Sequence, residues 1–182
     1  MTPTNTCLPV VLAALLLTSA CSSTSSWVPD VSMPDFSSWF SKENQVLVSE
    51  VANSTLCNAP NEQTTMQLLP TAQAALAWQA ARGVQLVGAN ELAEGRYVAI
   101  DLGQRGSGGY GLAVSRQAGL NDGVLVLKAT TFAPAPDAMN VQMITSPCAL
   151  VRLPANEFGS MKMIDQTGKV RASSAGPVGG KS

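Results

Sequence analysis

The chain has 182 residues, with 11 Lys and Arg against 12 Asp and Glu and a formal net charge of −1. So sparse and balanced a charge set offers no basic track that could follow the phosphates of a nucleic acid. There is no histidine, which removes the commonest general base and leaves too few soft ligands for a transition-metal site.

Leu8 to Leu17 is an apolar run interrupted only by Pro9. A membrane-spanning helix needs about 20 apolar residues, whereas the apolar core of a secretory signal takes about 7–15. The run leads into Leu17-Thr18-Ser19-Ala20-Cys21, which resembles the lipobox cut by the lipoprotein signal peptidase. Residues 1–20 are therefore expected to be a lipoprotein signal peptide and Cys21 the diacylated first residue of the mature chain. The pattern departs from the norm in two places: the first ten residues hold no Lys or Arg, and Thr18 stands where Leu is commoner. Ordinary secretion with cleavage after Ala20 is the alternative. Ser22, not Asp, follows the cysteine, which favours an outer-membrane anchor facing the periplasm. The 162 residues left after cleavage suffice for one domain with a real core.

Residues 21–41, rich in Ser, Pro and Asp, read as a tether. Trp27, Phe36, Trp39 and Phe40 fall inside it, and the last three would share one face of a short helical turn. Such rings either rest on a lipid interface or a partner, or pack back on the domain. Cys57 and Cys148 are the cysteines that remain once the signal and the lipid have claimed Cys7 and Cys21. In an oxidising compartment such a pair forms a disulfide, two buried thiols being the other reading.

Residues 42–172 are expected to form the globular domain. Gln45–Ala52 is predicted as its first strand. Pro70-Thr71 opens the clearest helix and Gly83 closes it after Arg82, with Leu76, Trp78, Ala80 and Ala81 as the predicted apolar side. Within 96–103, Val98, Ile100 and Leu102 alternate with Ala99 and Asp101, which predicts a strand with one buried face. Tyr110, Leu112 and Val114 repeat the pattern. Asn121-Asp122-Gly123 signals a hairpin turn, with Val124–Leu127 as a central strand after it. Residues 133–139 hold two prolines and read as a loop. Cys148–Leu153 and Ser160–Ile164 add two strands, and Gln166-Thr167-Gly168 a turn. Residues 173–182 are expected to be a disordered tail. The fold class is α+β, a mostly antiparallel sheet or sandwich with one N-terminal helix.

The loop Gly106-Ser107-Gly108-Gly109-Tyr110-Gly111 has the spacing of a dinucleotide motif, but that motif must open a helix. Here Leu112-Ala113-Val114 continues as a strand, so no dinucleotide or other cofactor is expected. Ser107-Gly108-Gly109 also resembles the nucleophile segment of chymotrypsin-like proteases, whose serine needs a base. Without histidine only a dyad with Lys128 or Lys162 is formally open, and no spacing favours it. Glu91, Glu94, Asp101 and Asp122 are scattered over turns and strand edges, where solvated carboxylates are the rule. Asn53-Ser54-Thr55 matches a glycosylation triplet by chance. The expectation is a non-catalytic chain with no metal site. The glycine loop is then either a tight connection or a recognition surface of Arg105, Gly106, Ser107, Gly108, Gly109 and Tyr110 that presents Tyr110 to a partner.

Two segments carry a family resemblance: Tyr97-Val98-Ala99-Ile100-Asp101-Leu102-Gly103-Gln104-Arg105-Gly106-Ser107-Gly108-Gly109-Tyr110, and Thr145-Ser146-Pro147-Cys148-Ala149-Leu150-Val151-Arg152-Leu153-Pro154. Together they resemble the C-terminal domain of the protease complex subunit PrcB family over 96–154. Ser107 stands where Thr is usual in that family and Cys148 where an aromatic is common. The resemblance implies a bacterial envelope lipoprotein that accompanies a protease, stabilising or inhibiting it. The Gly-Gly-Tyr loop is also similar to the Thr-Gly-Tyr loop of chagasin-like protease inhibitors. A structural envelope lipoprotein without a protease, or a hydrolase with an unrecognised site, are the remaining readings.

Overall fold

The computed structural model describes residues 44–137 and 139–177. The expected signal peptide, the acylation site Cys21 and the tether 21–41 lie outside the described residues.

The first expected strand divides at Val48 into β1 (Gln45–Leu47) and β2 (Ser49–Ser54), which belong to different sheets. Val48 itself is buried between the sheets and donates its N–H to Arg116 O at 3.0 Å. β2 lies at one edge of an antiparallel sheet ordered β2-β8-β4-β3, with β3 spanning Thr65–Leu69, β4 Tyr97–Asp101 and β8 Cys148–Arg152. The second sheet runs β1-β6-β7-β9-β10, with β6 Gln117–Asn121, β7 Val124–Phe132, β9 Ser160–Ile164 and β10 Val170–Ala175. β5 (Gly111–Val114) also pairs antiparallel with β7, whereas β7 and β9 run parallel.

The expected α+β class with antiparallel sheets holds. The sheets face each other across one core: Val98, Ile100 and Val151 from the first meet Leu125, Leu127, Met161 and Met163 from the second. α1 (Ala72–Arg82) covers the other face of the first sheet, where Tyr97, Ala99 and Leu150 meet Ala75 and Trp78. β4 is thus the middle layer. Its alternate side chains point to opposite faces, and both faces are covered, so all five residues are buried. The expectation of one buried face is corrected on this point.

α1 follows its local signals. Thr71 Oγ1 accepts from Ala74 N at 3.1 Å, and Gly83 closes the helix in the left-handed region at φ 63°. The buried side differs from the predicted one: Ala72, Ala75, Trp78 and Gln79 are inside, whereas Ala80 and Ala81 are exposed. Gln79 is satisfied there because its Oε1 accepts from Leu86 N and Val87 N at 2.7 and 2.9 Å. At the other predicted landmark, Asp122 and Gly123 both adopt positive φ, 49° and 74°, as a two-residue hairpin between β6 and β7 requires.

The expected disordered tail from residue 173 is corrected as well, because β10 runs to Ala175 in antiparallel pairing with β9 and Gly176 N donates to Gly159 O. The β9–β10 turn is built around Asp165. Burial pushes this carboxyl up, but hydrogen bonds from Thr167 and Lys169 and the Arg171 guanidinium at 2.5 Å outweigh it and hold the pKa at about 2. A folded-state pKa below the unfolded one means stability present above about pH 4 and lost as pH falls toward 2. Asp165→Ala is expected to cost about 1–3 kcal/mol at pH 7 and to flatten that acid limb, as read by urea unfolding at pH 7 and pH 3.

Candidate contact surface at one end of the sandwich

The glycine loop leaves β4 and reaches β5 at one end of the molecule, because Gly111 pairs with Phe132, the last residue of β7. The chain enters the described domain at the opposite end: Asn44 Nδ2 bonds Asn121 Oδ1 beside the β6–β7 hairpin. β7, nine residues long, separates the two ends by about 27 Å.

The loop is braced, not free. Arg105 and Thr145 exchange N–H and C=O bonds at 2.8 and 2.9 Å, Thr145 Oγ1 donates to Ser107 O at 2.8 Å, and Gly108 N donates to Val141 O at 2.9 Å. Gly109, at φ 87°, lies so close to the segment across from it that a Cβ there would stand 3.0 Å from Pro134 Cβ and from Asn140 Oδ1. A tight approach and a positive φ together explain the glycine. Tyr110 is half-buried, with the Arg105 guanidinium over its ring at 5.8 Å. Arg105 also donates to Leu102 O. Leu102, Arg105, Tyr110, Phe132 and Arg171 line a cleft of about 230 Å³. The expected projecting tyrosine is therefore one wall of a cleft, and the residues most open to solvent in the loop are Gly106 and Gly109.

What does project is the segment that braces the loop. Among the described residues eight large apolar side chains are exposed, and six of them sit on this end: Leu56, Phe132, Met139, Val141, Met143 and Ile144. Leu56 joins the group because it bridges to Ser146, next to the Arg105–Thr145 pair. Asp137 is the one charged residue between Lys128 and Arg152, so the segment that braces the loop is apolar and almost uncharged. Exposed apolar groups clustered in this way mark interaction sites more often than scattered ones do. The sequence reading missed this segment. The alternation Met139, Val141, Met143 without charge was the available signal.

The chemistry-bearing candidates are dispersed. Ser107 Oγ donates to Gly108 O at 3.2 Å. Lys128 borders a separate cavity of about 390 Å³ with Ile164, Asp165 and Gln166, and Lys162 lies beside Val126 on β9. Glu91 caps a 3-10 turn through Gly88 N, and Asp122 occupies the hairpin. Asp101 faces α1, where Arg82 Nη2 binds its Oδ2 at 2.9 Å while Oδ1 is buried without a partner. Burial outweighs Arg82 and pushes this carboxyl above its ordinary range. Among the described residues no group of three or more His, Cys, Asp or Glu could hold a metal ion, and no helix is long and apolar enough to cross a membrane. Cys57 and Cys148 form a disulfide with a Cα separation of 5.9 Å, buried against Tyr97, Leu150 and the helix layer.

Residues 96–154 match the family model described as PrcB C-terminal, over the same residues that carry the resemblance in the sequence. The match begins at β4 and ends after β8. It includes the glycine loop and the apolar segment that braces it, and leaves out α1, β9 and β10. No curated protein and no solved structure matches the chain.

Proposed function

We propose, taking the PrcB C-terminal family match as the premise, that this chain is a non-catalytic accessory subunit of an envelope protease. It is anchored by lipid on Cys21, in the outer membrane facing the periplasm, and either stabilises or inhibits the protease. The observation that carries the contact is the clustering of six exposed apolar side chains around the braced glycine loop, at the end opposite the chain's entry at Asn44. A lipid on the N-terminal side would attach the chain through the opposite end of the domain and leave this surface uncovered by the anchor. The contact surface comprises Arg105, Gly106, Ser107, Gly108, Gly109 and Tyr110 as a rigid base, with Val141, Met143 and Ile144 as the apolar anchors. Anchors of this type, seated in a partner's pocket, carry most of the energy of an interface.

The test is affinity capture of envelope proteins by the mature chain and by a Val141→Ser/Ile144→Ser variant. Both positions are exposed, so thermal stability should be unchanged. A protease identified in the wild-type capture, and reduced at least about tenfold by the variant, is the expected result. Equal capture by both proteins, or no protease in either, contradicts the reading.

A further inference from the structure

A second open surface lies against β1. Leu47, Arg116, Gln117, Arg152 and Leu153 line a groove of about 570 Å³. Leu47 is 74 % exposed beside it, although it stands on a strand whose neighbour Val48 is buried. Arg116 is exposed and has no ion-pair partner among the described residues. Arg152 donates one Nη2 bond to Glu94 O at 2.7 Å. The groove thus combines an apolar floor with two guanidinium groups, a surface suited to aromatic rings flanked by carboxylate.

The chain carries such a segment immediately upstream. Residues 22–41 hold Asp30 and Asp35 and no Lys or Arg, and Asp35 leads directly into Phe36, with Trp39 and Phe40 following at helical spacing. Reach decides which surface these rings can occupy. Leu47 is three residues beyond Asn44, about 10 Å along β1. Phe40 is four residues before Asn44 and can swing about 13 Å from it. The groove is within that radius, whereas the apolar end around Met139 lies more than about 25 Å away and is out of reach of Trp39 and Phe40.

We infer that the aromatic segment from Asp35 to Phe40 folds back on the domain and docks in the β1 groove, with Asp35 on Arg116 and the rings on Leu47 and Leu153. This inference stands apart from the protease reading. Its consequence is mechanical: the free tether shortens to the residues between Cys21 and Phe36, and its greatest span falls from about 75 Å to about 50 Å. That shorter span would lower the greatest height the contact surface can reach above a membrane.

Amide hydrogen exchange on the full mature chain tests it, with an Arg116→Glu variant and an Arg116→Glu/Asp35→Lys charge swap. In the wild type, amides of 36–41 are expected to exchange at least about tenfold slower than in a free chain. Arg116→Glu should abolish the protection and the charge swap should restore it, with unchanged circular dichroism in both. Free-chain exchange in the wild type, or protection indifferent to Arg116→Glu or not restored by the swap, overturns the inference. So does protection that arises only when phosphatidylethanolamine and phosphatidylglycerol vesicles are added, which would place the rings on lipid instead.

Discussion

Cys57→Ala/Cys148→Ala is expected to lower the unfolding free energy by about 3–4 kcal/mol. The disulfide closes a loop across a sequence separation of 91 residues, for which chain entropy alone gives about 4–5 kcal/mol before any relaxation. Both residues are fully buried between the first sheet and the helix layer, so the variant also loses packing there. Small domains hold only about 5–15 kcal/mol in all, so a loss of this size approaches the margin. Guanidinium unfolding distinguishes the mechanism. The variant should show a lower midpoint and a steeper m, because an unlinked denatured chain exposes more surface. A lower midpoint with unchanged m would assign the loss to packing alone. An unchanged midpoint would contradict the role given to the bridge.

Arg82→Ala should cost about 3–4 kcal/mol, because it strips the partner from a buried carboxylate. Arg82 binds Asp101 Oδ2, donates to Asn58 O at 3.3 Å and lies 5.3 Å from the Trp78 ring centroid. It therefore ties the end of α1 to β4 and to the chain beside the disulfide. Asp101 has little in reserve, since its Oδ1 is already without a partner and its pKa is already raised. Removal of Arg82 raises that pKa further. A carboxyl that binds its proton more tightly folded than unfolded contributes stability at low pH that is lost as pH rises through the folded value. The deficit of Arg82→Ala should therefore be larger at pH 8 than at pH 3, below the ordinary carboxylate pKa. Arg82→Met/Asp101→Leu, which removes both charges and refills the volume, should recover most of the loss. Equal deficits at the two pH values would show that the ion pair is not what Arg82 supplies.

Local signals made some elements legible in the sequence. Thr71 and Gly83 cap α1 through their own side chain and backbone, and Asp122-Gly123 sets its hairpin through φ alone, so both could be read without tertiary context. β3 carries little local signal because Thr65–Leu69 is short and follows a polar stretch; its place comes from pairing with β4 some thirty residues later. The break at Val48 was invisible for the same reason, since only the two facing sheets make one continuous run change partners there. The parallel pairing of β7 with β9 crosses a long connection and leaves no local mark.

The candidate site divides in the same way. Consecutive glycines announced a special loop between β4 and β5, and the structure holds it there. Which side chains it offers depends on Thr145 and Val141, more than thirty residues away, which turn Tyr110 into a cleft wall and push Val141, Met143 and Ile144 outward. The Asp165 turn was legible only as a turn, because the charge that holds it comes from Arg171 on the next strand.

Contact between a protease and the end bearing the glycine loop is open to direct measurement. A photoreactive residue placed at Ile144, with a control at Asp122 on the opposite end, tests it directly in the native envelope. The expected result is an adduct from position 144 whose cross-linked peptide belongs to a protease, and none from position 122. No protease adduct from position 144, or the same adducts from both positions, would contradict it.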